Sequence, residues 1–238
     1  MRAKVLEHAG EYANDTEAGA SEIRRAAASF RSTTAIGGDE LALKLISELP
    51  DVALDQLGAI IKQCLANLSM PHQTLLSILC LLDNKLGESR TIAILASLYR
   101  IIMKVLGGHV REWDLATGHA YDSALAGCSS LQAAVPRALK VENGIASGLN
   151  VWHLLWDMEK FYDTVSLPIL AEELTKRGYP PELLTLGLLA HAAPRILKVG
   201  KCHSATVADT GNSMLAGCLQ SVSFARGLLW ELIDKLLY

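Results

Sequence analysis

The cysteines of this chain are spaced for no shared task. There are five, Cys64, Cys80, Cys128, Cys202 and Cys218, odd in number and widely scattered. No CxxC pair occurs, and the adjacent Cys202-His203, with His191 upstream, lacks zinc-finger spacing. Reduced, mostly buried thiols are expected, and a disulfide-stapled secreted scaffold is excluded. Positive charge is not in excess either. The 22 Lys and Arg are outnumbered by 25 Asp and Glu, for a net charge of −3. Nucleic-acid enzymes are usually more basic, so any nucleic-acid contact must rest on local patches. Residues 1–30 are polar and charged, and no signal peptide is expected there. The most apolar long window, residues 91–110, is interrupted by Arg100 and Lys104, which predicts a core helix and no membrane span. Repeats and low-complexity tracts are missing. An intracellular protein of nucleus or cytoplasm is expected.

Apolar content is high. The 238 residues are 50% hydrophobic and 20% charged, enough to bury a core in one large domain or two small ones. Residues 1–32 show little periodicity and predict a loosely ordered lead segment, with at most a helix over 21–30. A Gly-rich turn, Thr33-Thr-Ala-Ile-Gly-Gly-Asp39, follows, and Asp39 is placed to cap a helix running to about Leu49. Leu57, Ile60, Ile61, Cys64, Leu65 and Leu68 recur at helical spacing until Pro71. Residues 74–82 predict the first strand of a hairpin, turning at Asp83-Asn84-Lys85-Leu86-Gly87. Residues 97–105 fit a helix, stopped by Gly107-Gly108, and residues 130–139 another, with a loop at 144–148. Helices open at Ser166-Leu-Pro168 and at Pro181, the first ending at Gly178. Residues 195–199 and 202–207 read as a hairpin, 211–216 as a loop, and 217–238 as mostly helix.

The most informative stretch is the apolar run of residues 151–156, followed by Asp157-Met-Glu-Lys-Phe-Tyr-Asp163. A strand-length run that ends in an acid delivers a carboxylate to the rim of a sheet. A metal-dependent polymerase palm needs such an acid for Mg²⁺ and a bulky ring beside the sugar of the incoming nucleotide. Asp157 and Tyr162 fit those positions; a turn-capping acid and a core aromatic fit them too. Three other blocks accompany this one in order. They are Ile36-Gly-Gly-Asp39, Arg90-Thr-Ile-Ala-Ile-Leu-Ala-Ser-Leu-Tyr-Arg100 and Leu215-Ala-Gly-Cys-Leu-Gln-Ser221. Together they resemble motifs of the reverse transcriptases of non-LTR retrotransposons and group II introns, from about Thr33 to Tyr238. Ile36 and Thr91 stand where the family has proline, and Ala216 where it has glutamine.

The resemblance implies an α+β fold: helix-rich fingers over residues 33–150 and a partial palm over 151–238, with a small, mixed, mainly antiparallel sheet. It implies Mg²⁺, or Mn²⁺, held by Asp157 and the carbonyl of Met158. Arg90 would grip the triphosphate in two places, Lys85 would add a point charge, Tyr162 would be the steric gate, and Gly217 would let backbone approach nucleotide or template. Partners would be an RNA template, a DNA primer and a dNTP. Asp163 reads as structural, and His153 and His191 as satisfied core histidines. Arg195, Lys198 and Lys201 read as a solvated face able to touch phosphate. The family's later hairpin with two adjacent aspartates has no counterpart here, since Asp234 lies in a helical pattern. The expectation is therefore a fragment or degenerate copy, inactive as this isolated chain and prone to self-association through an unpaired sheet edge. The alternative expectation is a non-catalytic helical domain that binds nucleic acid or protein.

Overall fold

A computed structural model describes residues 2–83, 89–119, 122–152, 157–208, 210 and 212–237. The fold is α+β, with many helices around one small sheet. Residues 1–32, expected to be loosely ordered apart from a helix over 21–30, carry α1 (Arg2–Asp15) as well as that helix, α2 (Ala20–Ala28). Both pack on α4 (Asp51–Asn67). Ala9, Ala13, Ala26, Ala27 and Ile23 are buried there, and small side chains let the helix axes approach closely. Gly58 marks the closest point, since any Cβ on it would run into the carbonyl of Ala18. Of the stripe read from its spacing, Ile61, Cys64 and Leu65 are buried, with Leu54 beside them, while Ile60 is exposed. Truncating Ile61 or Leu65 to Ala would cost about 2–5 kcal/mol.

Asp39 does not start a helix of its own. Only a single turn, α3 (Leu43–Ile46), forms in residues 39–49. The Asp39 carboxylate instead accepts the Leu98 N–H at 2.9 Å, capping α5 (Ser97–Val105) from a distance. Gly107-Gly108 ends α5 but also opens α6 (Gly107–Ala116). The helix expected over 130–139 continues as α7 (Ser130–Ala146), through the expected loop at Gly144. It starts with a capping box between Ser129 and Gln132. It ends at Gly148, where the Leu149 N–H reaches the Gly144 carbonyl. No residue of α7 is buried.

The single turn α8 (Phe161–Thr164) precedes α9 (Leu167–Lys176) and α10 (Pro181–His191), both opened by proline as read from the sequence. Gly178, at φ +66°, ends α9. The last helix, α11 (Ser221–Leu237), packs on α9.

The sheet has the order β2-β1-β3-β4. β1 (Ser77–Asp83) and β2 (Ser89–Ile94) form the expected antiparallel hairpin, and β3 (Arg195–Val199) pairs with the short β4 (Cys202–His203). The sheet is mixed because β1 and β3 join the two hairpins in parallel, Ile78 beside Ile196. The helices from α5 to α10 form that crossover. The strand expected over 151–156 is not among these four: Val151 and Trp152 lie outside any strand, and residues 153–156 lie outside the described residues. No helix among the described residues is long and apolar enough to cross a membrane.

Candidate functional site

Backbone hydrogen bonds bring the separate sequence blocks together. The Met214 N–H donates to the Tyr162 carbonyl at 2.7 Å, and the Ser213 N–H to the Val165 carbonyl at 2.8 Å. These bonds lay the Asp157–Asp163 block beside the residues leading into Gly217. From there the Ala216 carbonyl accepts the Ala93 N–H of β2 at 2.9 Å. Arg90 stands three residues earlier on the same strand, opposite Leu82. At the far end of that block, a Cβ on Gly37 would lie 2.5 Å from the Leu95 carbonyl, so the Gly-Gly-Asp turn docks where β2 runs into α5. Four blocks distant in sequence thus form one continuous layer. It also covers part of the outer edge of β2.

Within the layer, Asp157 and Met158 are exposed, and Glu159-Lys160 turn the chain through a left-handed Lys160 at φ +49° into α8. Tyr162 is half-buried, its ring edge-on to Phe161 at 5.5 Å. Lys85 lies outside the described residues. Gly217 adopts φ +109°, and the close approach it permits is to β2: a Cβ there would sit 2.9 Å from the Ala93 carbonyl.

The described residues do not form a resident metal centre. Asp157 offers one exposed carboxylate, and nowhere do three His, Cys, Asp or Glu side chains gather to hold an ion. Mg²⁺ at such a position would depend on further oxygens from substrate phosphates and water.

Three buried polar groupings surround the layer; of their members, His191 stood out in the sequence as a core residue and Arg195 as a solvated one. His191 is fully buried, as expected of a core histidine, and its Nδ1 accepts the Leu215 N–H at 2.8 Å. Burial, with the Arg195 charge beside it, depresses its pKa to about 3, so the ring is neutral with its proton on Nε2. Nε2 itself meets no hydrogen-bond partner. Arg195 is not on a solvated face: it is 7% exposed and gives its guanidinium to Ser213 Oγ at 2.5 Å and the His191 carbonyl at 2.7 Å. As the first residue of β3, its side chain turns inward against residues 213–215. Burial lowers its pKa, and the nearby Asp163 opposes that shift.

Gln220 is buried and joins α5, α10 and the Tyr179 turn. Its amide donates to Tyr179 Oη and the Leu183 carbonyl, each at 3.2 Å, and its Oε1 faces Tyr99 Oη at 3.4 Å. Ser221 Oγ donates to the Leu215 carbonyl at 2.8 Å, so it braces the turn before α11. The third grouping is ionic. Arg226 of α11 bonds Asp114 of α6 and, through Nε at 2.5 Å, Asp122, while Ser223 donates to Asp114 at 2.9 Å. Burial raises the Asp114 pKa against the pull of these donors. The signal missed was long-range pairing, which spacing cannot reveal.

Beside this cluster is a cavity of about 340 Å³ between Tyr162, residues 122–124 and one face of α11. Comparison with known proteins adds no name to this site: no protein-family model matches the chain, and no curated protein matches it.

Proposed function

We propose that the chain is the fingers and first part of the palm of an RNA-directed DNA polymerase, as a fragment or degenerate copy of the retroelement type. The supporting observation is the layer in which the four motif-like blocks meet through Ala93–Ala216, Tyr162–Met214 and Asp39–Leu98. Blocks that matched the family by chance would have no reason to share one hydrogen-bonded layer. In this reading Asp157 and the Met158 carbonyl stand at the Mg²⁺ (or Mn²⁺) position, Arg90 and Lys85 face the triphosphate, and Tyr162 is the sugar gate beside Gly217. The template–primer hybrid is gripped by shape and backbone rather than by sequence. With one carboxylate at the metal position, the chain alone does not extend a primer.

The test is fluorescence anisotropy with a labelled RNA–DNA hybrid. Binding should exceed that of B-form DNA of the same sequence and fall as salt rises from about 50 to 200 mM. No hybrid binding at the lower salt would overturn the reading. Primer extension on an RNA template with Mg²⁺ or Mn²⁺ runs beside it with an Asp157→Ala control. Extension that vanishes in the control would show that a second carboxylate had been overlooked.

A second reading, a non-catalytic interaction domain, is favoured by one feature. α7 buries nothing, and it and the residues after it expose Leu131 (70%), Leu139, Ile145, Leu149 and Trp152 (90%). Exposed apolar surface of that extent marks association sites. Sedimentation showing self-association, together with absent hybrid binding, would select this reading.

A further inference from the structure

The α11 face at Val222, Ala225, Leu229, Trp230 and Ile233 repeats at helical spacing, as a core-facing stripe does. Among the described residues, no element fills the space in front of it. α11 meets the core through its other side, where Gly227 fits against Leu174 and Trp113. Tyr162 walls the space on one flank and residues 122–124 on another, leaving the cavity of about 340 Å³. That volume sits at the small end of ligand pockets. The walls are mostly apolar and include the rings of Tyr162, His119 and Trp230, the last already edge-on to His119 at 4.4 Å and under the Arg177 guanidinium at 5.1 Å; such a ring-lined space suits a flat aromatic guest.

The charged part of the wall at Arg226 and Asp122 is internally paired. Arg226 is held by both Asp114 and Asp122. The second Asp122 oxygen accepts the Ala124 N–H at 3.0 Å. Two carboxylates on one guanidinium leave a local excess of negative charge, so an anionic guest such as a phosphate meets repulsion. A cationic guest would lose hydration with every carboxylate oxygen already engaged. An uncharged guest loses neither.

We infer that this cavity is a binding site for an uncharged planar aromatic molecule of bicyclic size, stacked against Trp230 and Tyr162. The site shares Tyr162 with the proposed nucleotide position, but the inference does not depend on the polymerase reading.

The test is calorimetric titration of the full chain with 2-naphthol, with 2-naphthoate as the charged counterpart. Saturable one-to-one binding of 2-naphthol is expected, with 2-naphthoate at least tenfold weaker. Filling the cavity with Ala225→Phe or Leu229→Trp, each checked for its native circular dichroism, should weaken 2-naphthol binding at least tenfold. Intermolecular NOEs from 2-naphthol to the Trp230 indole locate the site in the unaltered protein, so the outcome does not depend on either variant folding. Absence of saturable binding overturns the inference. So do equal affinities for the two probes, undiminished binding in the folded variants, or NOEs that exclude Trp230.

Discussion

Gly217→Ala offers the sharpest probe of how the layer is held. Two separate costs meet at this residue. Its φ of +109° is one that L-residues rarely adopt, which costs about 1–2 kcal/mol for any added Cβ. The Cβ would also sit 2.9 Å from the Ala93 carbonyl, so β2 and the 214–217 loop must separate. That separation strains the 2.9 Å bond from the Ala93 N–H to the Ala216 carbonyl, a further ~0.5–1.5 kcal/mol, and adds an overpacking cost of about 1 kcal/mol. The expected loss is about 3–4 kcal/mol, a large part of the stability of an ordinary domain. Gly127→Ala is the matched control. Gly127 has a similar φ of +95° but nothing within reach of a new Cβ, so only the conformational cost of about 1–2 kcal/mol applies. Urea unfolding followed by circular dichroism measures both against the parent, with equal slopes required for comparison. Equal losses in the two variants would refute the claim that Gly217 is required by its contact with β2.

Other perturbations follow from the same geometry. His191 is neutral in the fold with its pKa depressed from 6.5 to about 3, so the unfolded chain binds the extra proton. Its contribution is intact above about pH 6.5 and is lost progressively as pH falls toward 3, amounting to about 2 kcal/mol by pH 5; His191→Asn should flatten that part of a stability–pH curve. Arg226→Ala leaves Asp114 and Asp122 facing each other without their shared cation and should cost about 3 kcal/mol or more in thermal or urea unfolding. Gly107→Ala adds a Cβ into open space at the start of α6 and should stabilise by about 0.5–1 kcal/mol in the same assay. Asp157→Asn alters an exposed residue and should shift stability by less than about 0.5 kcal/mol, so a larger loss in urea unfolding would mean that Asp157 supports the fold.

Elements were legible where punctuation and periodicity agreed. α5 lies over the residues its pattern indicated, and Pro168, Gly178 and Pro181 bound α9 and α10 as local chemistry dictates. The β1–β2 hairpin was legible from its turn-forming residues. The first helix was not, because its buried face is built from alanines such as Ala9 and Ala13, which scarcely register as an apolar period. Gly107-Gly108 reads as a stop and serves also as a start, since α6 begins where α5 fails. The parallel pairing of β1 with β3 joins residues more than a hundred positions apart, and no local pattern specifies that. Asp39 was recognisable as a cap, but its helix, α5, lies across the fold.

The site residues divide by whether packing alone explains them. Asp39 caps α5, Gly37 and Gly217 admit close backbone contacts, and Ser221 braces the turn before α11. Each residue type is accounted for with no nucleotide present, so its agreement with a polymerase motif adds little weight to a chemical role. Asp157 differs. Among the described residues it makes no hydrogen bond or ion pair, and it stands exposed on a loop that the Tyr162–Met214 bond holds against the layer. A loop held this way presents its acid at a fixed place without using it structurally, as a ligand-binding acid requires. Tyr162 is intermediate: its carbonyl is structural, while its ring walls the cavity and is the gate only in the polymerase reading. The catalytic reading therefore rests on Asp157 far more than on the number of motif-like blocks.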